Sequence, residues 1–114
     1  MLVKRVALKI GMALALTCCA GAGSASTASG GTIAGISVQQ GRLFFYVSGG
    51  RTSTPACHTV PGRWVFDAST AQGQAMMAAV MTFYSQGKQI AVGGTNACAN
   101  WPDTESVEYI YLIN

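Results

Sequence analysis

Cys57 and His58 are neighbours, and a thiol beside an imidazole is a pairing that can yield a nucleophilic thiolate. Adjacent side chains rarely aim at each other, however, and a disulfide would remove the thiol. Asp103 and Glu105 are two residues apart and would share a face in an extended segment, as an acid–base pair or as oxygen ligands for a hard cation. The plainer reading of the same two residues is a solvated loop ahead of the last strand. Phe44, Tyr46, Trp64, Trp101, Tyr109 and Tyr111 supply flat apolar rings of the kind that stack on bases or cover sugar faces. Most of them are expected to fill the interior or line an interface. Tyr46 stands out as a ligand contact, because it lies opposite the Leu43, Phe45 and Val47 face of its segment. No Cys/His cluster has zinc spacing, and there is no phosphate-binding loop or serine-nucleophile motif. These residues predict a binding protein rather than an enzyme, with no metal and no cofactor.

The start of the chain bears on where this chemistry would operate. Lys4, Arg5 and Lys9 precede a short apolar run, Ile10 to Leu16, which gives way to small residues. That order predicts a secretory signal peptide over residues 1–22, ending at Ala20-Gly21-Ala22, with cleavage as late as Ala25. The run is too short to predict a membrane span. Cys18 and Cys19 would leave with the signal; Thr17 ahead of Cys18 is a poor residue for a lipidation site. A secreted or periplasmic protein results. Its two remaining cysteines, Cys57 and Cys98, are then expected to form a disulfide worth about 4 kcal/mol by the chain-entropy model. A domain of this size gains much from such a staple.

Export also changes the charge. The whole chain carries seven Lys and Arg against four Asp and Glu, but three of the cations lie in the signal. What remains is Arg42, Arg51, Arg63 and Lys88 against Asp67, Asp103, Glu105 and Glu108, which is neutral. Nucleic-acid binding needs clustered cations and is therefore not expected.

The elements that would position these residues follow from the patterning. Gly23 to Gly31 is rich in Gly, Ser, Ala and Thr and reads as a flexible leader, with the folded domain occupying residues 32–114. Thr32 to Gln40 reads as a strand with a bulge at Gly35, where Ile33 falls out of phase with Ile36 and Val38. Arg42 to Ser48 is the clearest strand, apolar on both faces. Arg63 to Asp67 is the third, Gln89 to Val92 the fourth and Glu105 to Ile113 the fifth. In the last, Val107, Tyr109, Tyr111 and Ile113 are expected on one side and Ile110 and Leu112 on the other.

Between the third and fourth strands, Ala68 to Gly87 has no charged residue and reads as a helix, capped by Ser69 or Thr70 and stopped by Gly87. Met76, Met77, Val80, Phe83 and Tyr84 form a bulky stripe to pack on the sheet. Ala71, Ala75, Ala78 and Thr82 form a small-residue stripe that permits close approach of another surface, predicting an oligomer interface. A helix covered by loops of its own chain is the alternative. The order β-β-β-α-β-β predicts an all-β domain with one helix, a five-stranded OB-fold-like barrel; a simple sheet with one packed helix is the competing architecture.

From Thr32 to about Val92 the chain distantly resembles the binding subunits of bacterial AB5 toxins, nearest the subtilase cytotoxin and pertussis-like branch. The residues that carry this are the opening hairpin with LFFYVSG, the Cys57 loop leading to the Trp64 strand, and TFYSQGKQIAV from Thr82 to Val92. The resemblance implies an OB-fold, a homo-oligomeric ring with the helices facing a central channel, glycan recognition, and a toxic A subunit that one chain does not specify. It also implies a sialic-acid contact from a serine ahead of the first strand, for which Ser29 is the nearest match. Val47 stands where the subtilase branch carries a cysteine, so the disulfide pattern differs, and the segment after Cys98 departs from the toxin subunits. The expected function is a secreted or periplasmic, oligomeric glycan-binding protein with Ser29 and Tyr46 as ligand contacts. The alternative is a small periplasmic structural or inhibitory protein that binds another protein through the Trp101 loop or the last strand.

Overall fold

The computed structural model describes residues 26–113; the expected signal peptide, its expected cleavage points at Ala22 and Ala25, and Cys18 and Cys19 lie outside them. Five antiparallel strands and one helix follow in the order β1 (Thr27–Gln39), β2 (Arg42–Val47), β3 (Arg63–Asp67), α1 (Ala71–Ser85), β4 (Gln89–Gly94) and β5 (Val107–Leu112). They form one sheet in the order β3-β2-β1-β4-β5. The sheet is not closed by a continuous ladder. A single parallel bridge, Val65 to Ser106, joins β3 to the approach of β5, and the Val65 N–H donates to the Glu105 carbonyl at 3.3 Å. Among the described residues no helix is long and apolar enough to cross a membrane.

β1 is the central strand and serves two partners. Residues 27–32 pair with β4, and residues 33–39 pair with β2. The ladder slips at Gly35, as the phase of the isoleucines requires, and again between Ser29 and Gly31, where Gly30 has φ +83°. That second slip lies in the segment expected to be a flexible leader. Residues 27–31 are instead strand, and Ala28 is buried in the core. The sequence Thr-Ala-Ser-Gly-Gly has poor strand propensity, but β4 supplies backbone partners for it, and pairing overrides propensity. Gly31 is needed there: a side chain would run into the Gly49 backbone and Val47.

The core gathers Leu43, Phe45 and Val47 from β2, Trp64 and Phe66 from β3, Ile90 and Val92 from β4, and Val80 from the helix. The helix starts where the Thr70 side chain accepts the Gly73 N–H at 2.9 Å, and it stops before Gly87 at φ +60°. Gly73 lets this first turn sit against the Asp67 carbonyl. Met76, Met77, Val80 and Phe83 face the core as expected, whereas Tyr84 is exposed at the helix end. β5 also departs from its expected phase. Its ladder slips opposite Gly93 and Gly94, so Val107 turns inward with Ile110, while Tyr109 and Tyr111 turn out. Simple alternation through Glu108 misses that extra residue.

Candidate functional site

Two loops meet at one end of the sheet, the β2–β3 loop with Arg51, Cys57 and His58 and the β4–β5 loop with Cys98, Trp101 and Asp103. Cys57 and Cys98 are disulfide-bonded with Cα atoms 6.2 Å apart. The Thr59 N–H donates to the Asp103 carbonyl at 3.0 Å beside this link. The thiol that a Cys57–His58 dyad would need is therefore consumed.

At the base of the junction Glu105 is fully buried. A carboxylate taken out of water needs charge and hydrogen bonds in compensation. Its Oε1 accepts from Arg51 Nη2 and from Ser26 Oγ, both at 2.5 Å, and its Oε2 accepts the Asn96 N–H at 2.9 Å. Arg51 lies over the Trp64 ring, 3.7 Å from its centroid, and donates through Nη1 to the Arg63 carbonyl at 3.0 Å. Burial pulls the Arg51 guanidinium below its ordinary value, and Glu105 opposes this. A side chain at Gly94 would collide with the Glu105 carboxylate and the Trp64 ring, so this glycine makes the room for the ion pair.

His58 is tied to the same cluster. Its Nδ1 accepts the Glu105 N–H at 2.9 Å, which places the proton of the neutral ring on Nε2. In that tautomer the 3.2 Å approach of Arg51 Nη1 to Nε2 is a contact between two donors rather than a hydrogen bond. Burial and the neighbouring Arg51 hold His58 below the usual histidine value, against the opposing pull of the Val60 carbonyl and Glu105.

Asp103 and Glu105 do not act together. Asp103 turns to Arg63 at 2.5 Å, and Glu105 turns inward to Arg51. The solvated-loop reading is corrected for Glu105, which is buried with Thr104 and Ser106, whereas the Asp103 side chain is half exposed. Arg63 further donates to Thr104 Oγ1 and lies over Phe44, with 5.0 Å to the ring centroid. Trp101 meets Phe44 edge to face at 4.9 Å. This explains the two apolar faces of β2: one enters the core, and Phe44 is covered by the chain's own Trp101 loop. With Arg42 set 3.5 Å from Asp67, three arginines each face a carboxylate.

Beside Arg51 and His58 an open cleft of about 330 Å³ is walled by Thr54, Thr59, Pro61 and the bare backbones of Gly49 and Gly62. Tyr46 borders it. Its ring reaches to 4.0 Å from where a Gly62 side chain would begin, and to 3.7 Å from the same point at Gly35. A ring between two glycines keeps its face open, and Tyr46 is 39% exposed. Ser29 is exposed too, but it pairs with Ala91 in the other half of β1. It precedes Gly35, the partner of Tyr46, by six residues, up to about 20 Å of extended chain. The two expected ligand contacts thus do not form one constellation.

Ala71, Ala75, Ala78 and Thr82 are all exposed, on the side of α1 opposite buried Gly73 and Val80. The Thr82 hydroxyl donates to the Ala78 carbonyl at 2.8 Å, which leaves the stripe small and self-satisfied. Met81 lies beside it, exposed. On β5, Tyr109 and Tyr111 stack at 6.0 Å over the solvent side, and Gly93 leaves room for the Tyr109 ring.

The Ser26–Arg51–His58–Glu105 cluster went unread in the sequence. Its members are up to 79 residues apart, and no local spacing joins them. The one available signal was the balance of four cations and four anions after residue 25. The sequence matches no protein-family model and no curated protein significantly.

Proposed function

We propose that this is an exported, homo-oligomeric binding protein that recognises a surface glycan through the face around Tyr46, on a plan similar to an AB5 toxin B subunit. The observation that carries the reading is the Tyr46 ring, half open between Gly35 and Gly62, the latter also a wall residue of the cleft. A rigid ring with an unobstructed face suits the apolar face of a sugar, and neighbouring hydroxyls suit its edge. The strand order, with the Val65–Ser106 bridge where β3 nears β5, fits a partly open OB-fold barrel. The disulfide fits an oxidising compartment. The uncharged stripe Ala71, Ala75, Ala78 and Thr82 is the assembly surface. Three paired arginines leave little basis for nucleic-acid binding. The reading requires no A subunit, because the glycan and assembly surfaces both lie on this chain.

A glycan microarray probed with the mature protein tests it. Binding that is lost in Tyr46→Ala supports the reading, and Ser29→Ala tests the contact suggested by resemblance. A second reading, a protein-binding module, is favoured by the stacked, exposed Tyr109 and Tyr111 on β5. It predicts an empty array and a stoichiometric protein partner lost in Tyr109→Ser/Tyr111→Ser. The Trp101 loop is a weaker docking element, because Trp101 is engaged with Phe44.

A further inference from the structure

The cleft beside Tyr46 discriminates by charge. We infer that it takes a neutral sugar unit and rejects an acidic one; this rests on the glycan reading above. The argument is one of charge already spent. Arg51 is the cation in the cleft wall. Its side chain is 9% exposed, its Nη2 is ion-paired with the fully buried Glu105, and its face is laid on Trp64. His58, the other titratable wall residue, gives its Nδ1 lone pair to the Glu105 N–H and is held neutral by that bond. Arg63, the nearest further cation in the cluster, is engaged by Asp103 and Thr104. A carboxylate entering the cleft would meet no uncompensated cation and would lie near the Glu105 charge. It would lose its hydration without an ionic partner.

The rest of the wall suits a neutral polyol. The hydroxyls of Thr54 and Thr59 are exposed, and each both donates and accepts, which matches sugar hydroxyls. Pro61 offers an apolar face, Gly49 and Gly62 let a ring approach the backbone, and the Tyr46 ring adjoins the wall at Gly62. Neither Thr54 nor Thr59 supports the core, and the Thr59 N–H bond to Asp103 does not involve its side chain.

The test is an array of matched oligosaccharides, each ending in a neutral hexose or in the same hexose capped by sialic acid, read at low and high salt. The neutral member of each pair is expected to bind about tenfold more tightly, with little salt dependence, and Thr59→Val is expected to weaken it by about five- to tenfold, as loss of one hydrogen bond would. A preference for capped glycans, or binding that collapses with salt, overturns the inference and leaves the glycan reading standing. So does full binding by Thr59→Val alongside loss in Tyr46→Ala. Binding to neither class overturns both.

Discussion

Arg51 and Glu105, 54 residues apart in the chain, meet at 2.5 Å in a pocket closed by Trp64 below and Gly94 behind. This contact joins the two disulfide-linked loops to the sheet and sets one wall of the cleft. Removing one partner strands the other charge. Arg51→Met is expected to lose about 3–5 kcal/mol in urea unfolding, and Arg51→Met/Glu105→Leu to recover much of that loss, because a buried pair is dearer to break than to replace. A double variant no better than the single one would contradict this account of the cluster.

Gly94 is a second probe of the same pocket. Gly94→Ala places a methyl group against the Glu105 carboxylate and the Trp64 ring. Overpacking of this kind costs about 1–3 kcal/mol. The expected result is a lower urea midpoint, with Gly50→Ala, where nothing lies within reach, as the neutral control.

The disulfide joins cysteines 41 positions apart in the chain. Cys57→Ser/Cys98→Ser is expected to lose about 3–4 kcal/mol by loop-closure entropy. Arg51–Glu105 and Thr59–Asp103 still hold the loops, so the variant should retain its fold at low temperature. Thermal unfolding followed by circular dichroism checks both points.

Acid should weaken the fold before the carboxylates titrate. His58 is held below its unfolded value of about 6.5, so in the window beneath that value the unfolded chain binds the proton more readily. The His58 contribution is fully present above the unfolded value and is lost as pH falls through the window. Protonated His58 cannot accept the Glu105 N–H, and it faces Arg51 and Arg63 as a like charge, opposed by the Val60 carbonyl and the Glu105 carboxylate. Unfolding midpoints should fall between pH 7 and pH 5. His58→Asn, whose Oδ1 can accept the same N–H, should flatten that slope. The depressed Asp67, held by hydrogen bonds from the Ser69 hydroxyl and N–H, acts only lower, as pH falls through the carboxylate range.

Much of the scaffold was legible in the chain because local patterning dictates it. Arg63 to Asp67 reads as a strand from its ring spacing, Thr70 and Gly87 bracket the helix, and the bulge at Gly35 follows from the phase of Ile33 and Ile36. What escaped depends on contacts across the sheet. Residues 27–31 are strand because β4 pairs with them, and the inward turn of Val107 comes from a slip opposite Gly93 and Gly94. Glu105 looks like a solvated loop residue until Arg51 and Ser26, far off in sequence, are brought to it. Tyr46 was legible as an outward ring, but the glycines that open its face come from two other segments.

The helix face gives an independent check on assembly. Charge placed at the centre of the small-residue stripe, in Ala75→Glu/Ala78→Glu, is expected to convert an oligomer to a monomer in sedimentation velocity, with the circular dichroism spectrum unchanged. A wild-type chain that is strictly monomeric at high concentration would refute the proposed interface.

The most direct measurement is the affinity of the mature protein for its best array glycan, compared among wild type, Tyr46→Phe and Tyr46→Ala by calorimetric titration. An open ring that stacks on a sugar predicts near-wild-type binding for Phe and a loss of tenfold or more for Ala, about 1.4 kcal/mol. Equal affinity for wild type and Tyr46→Ala, or no measurable glycan binding by the folded wild type, would contradict it.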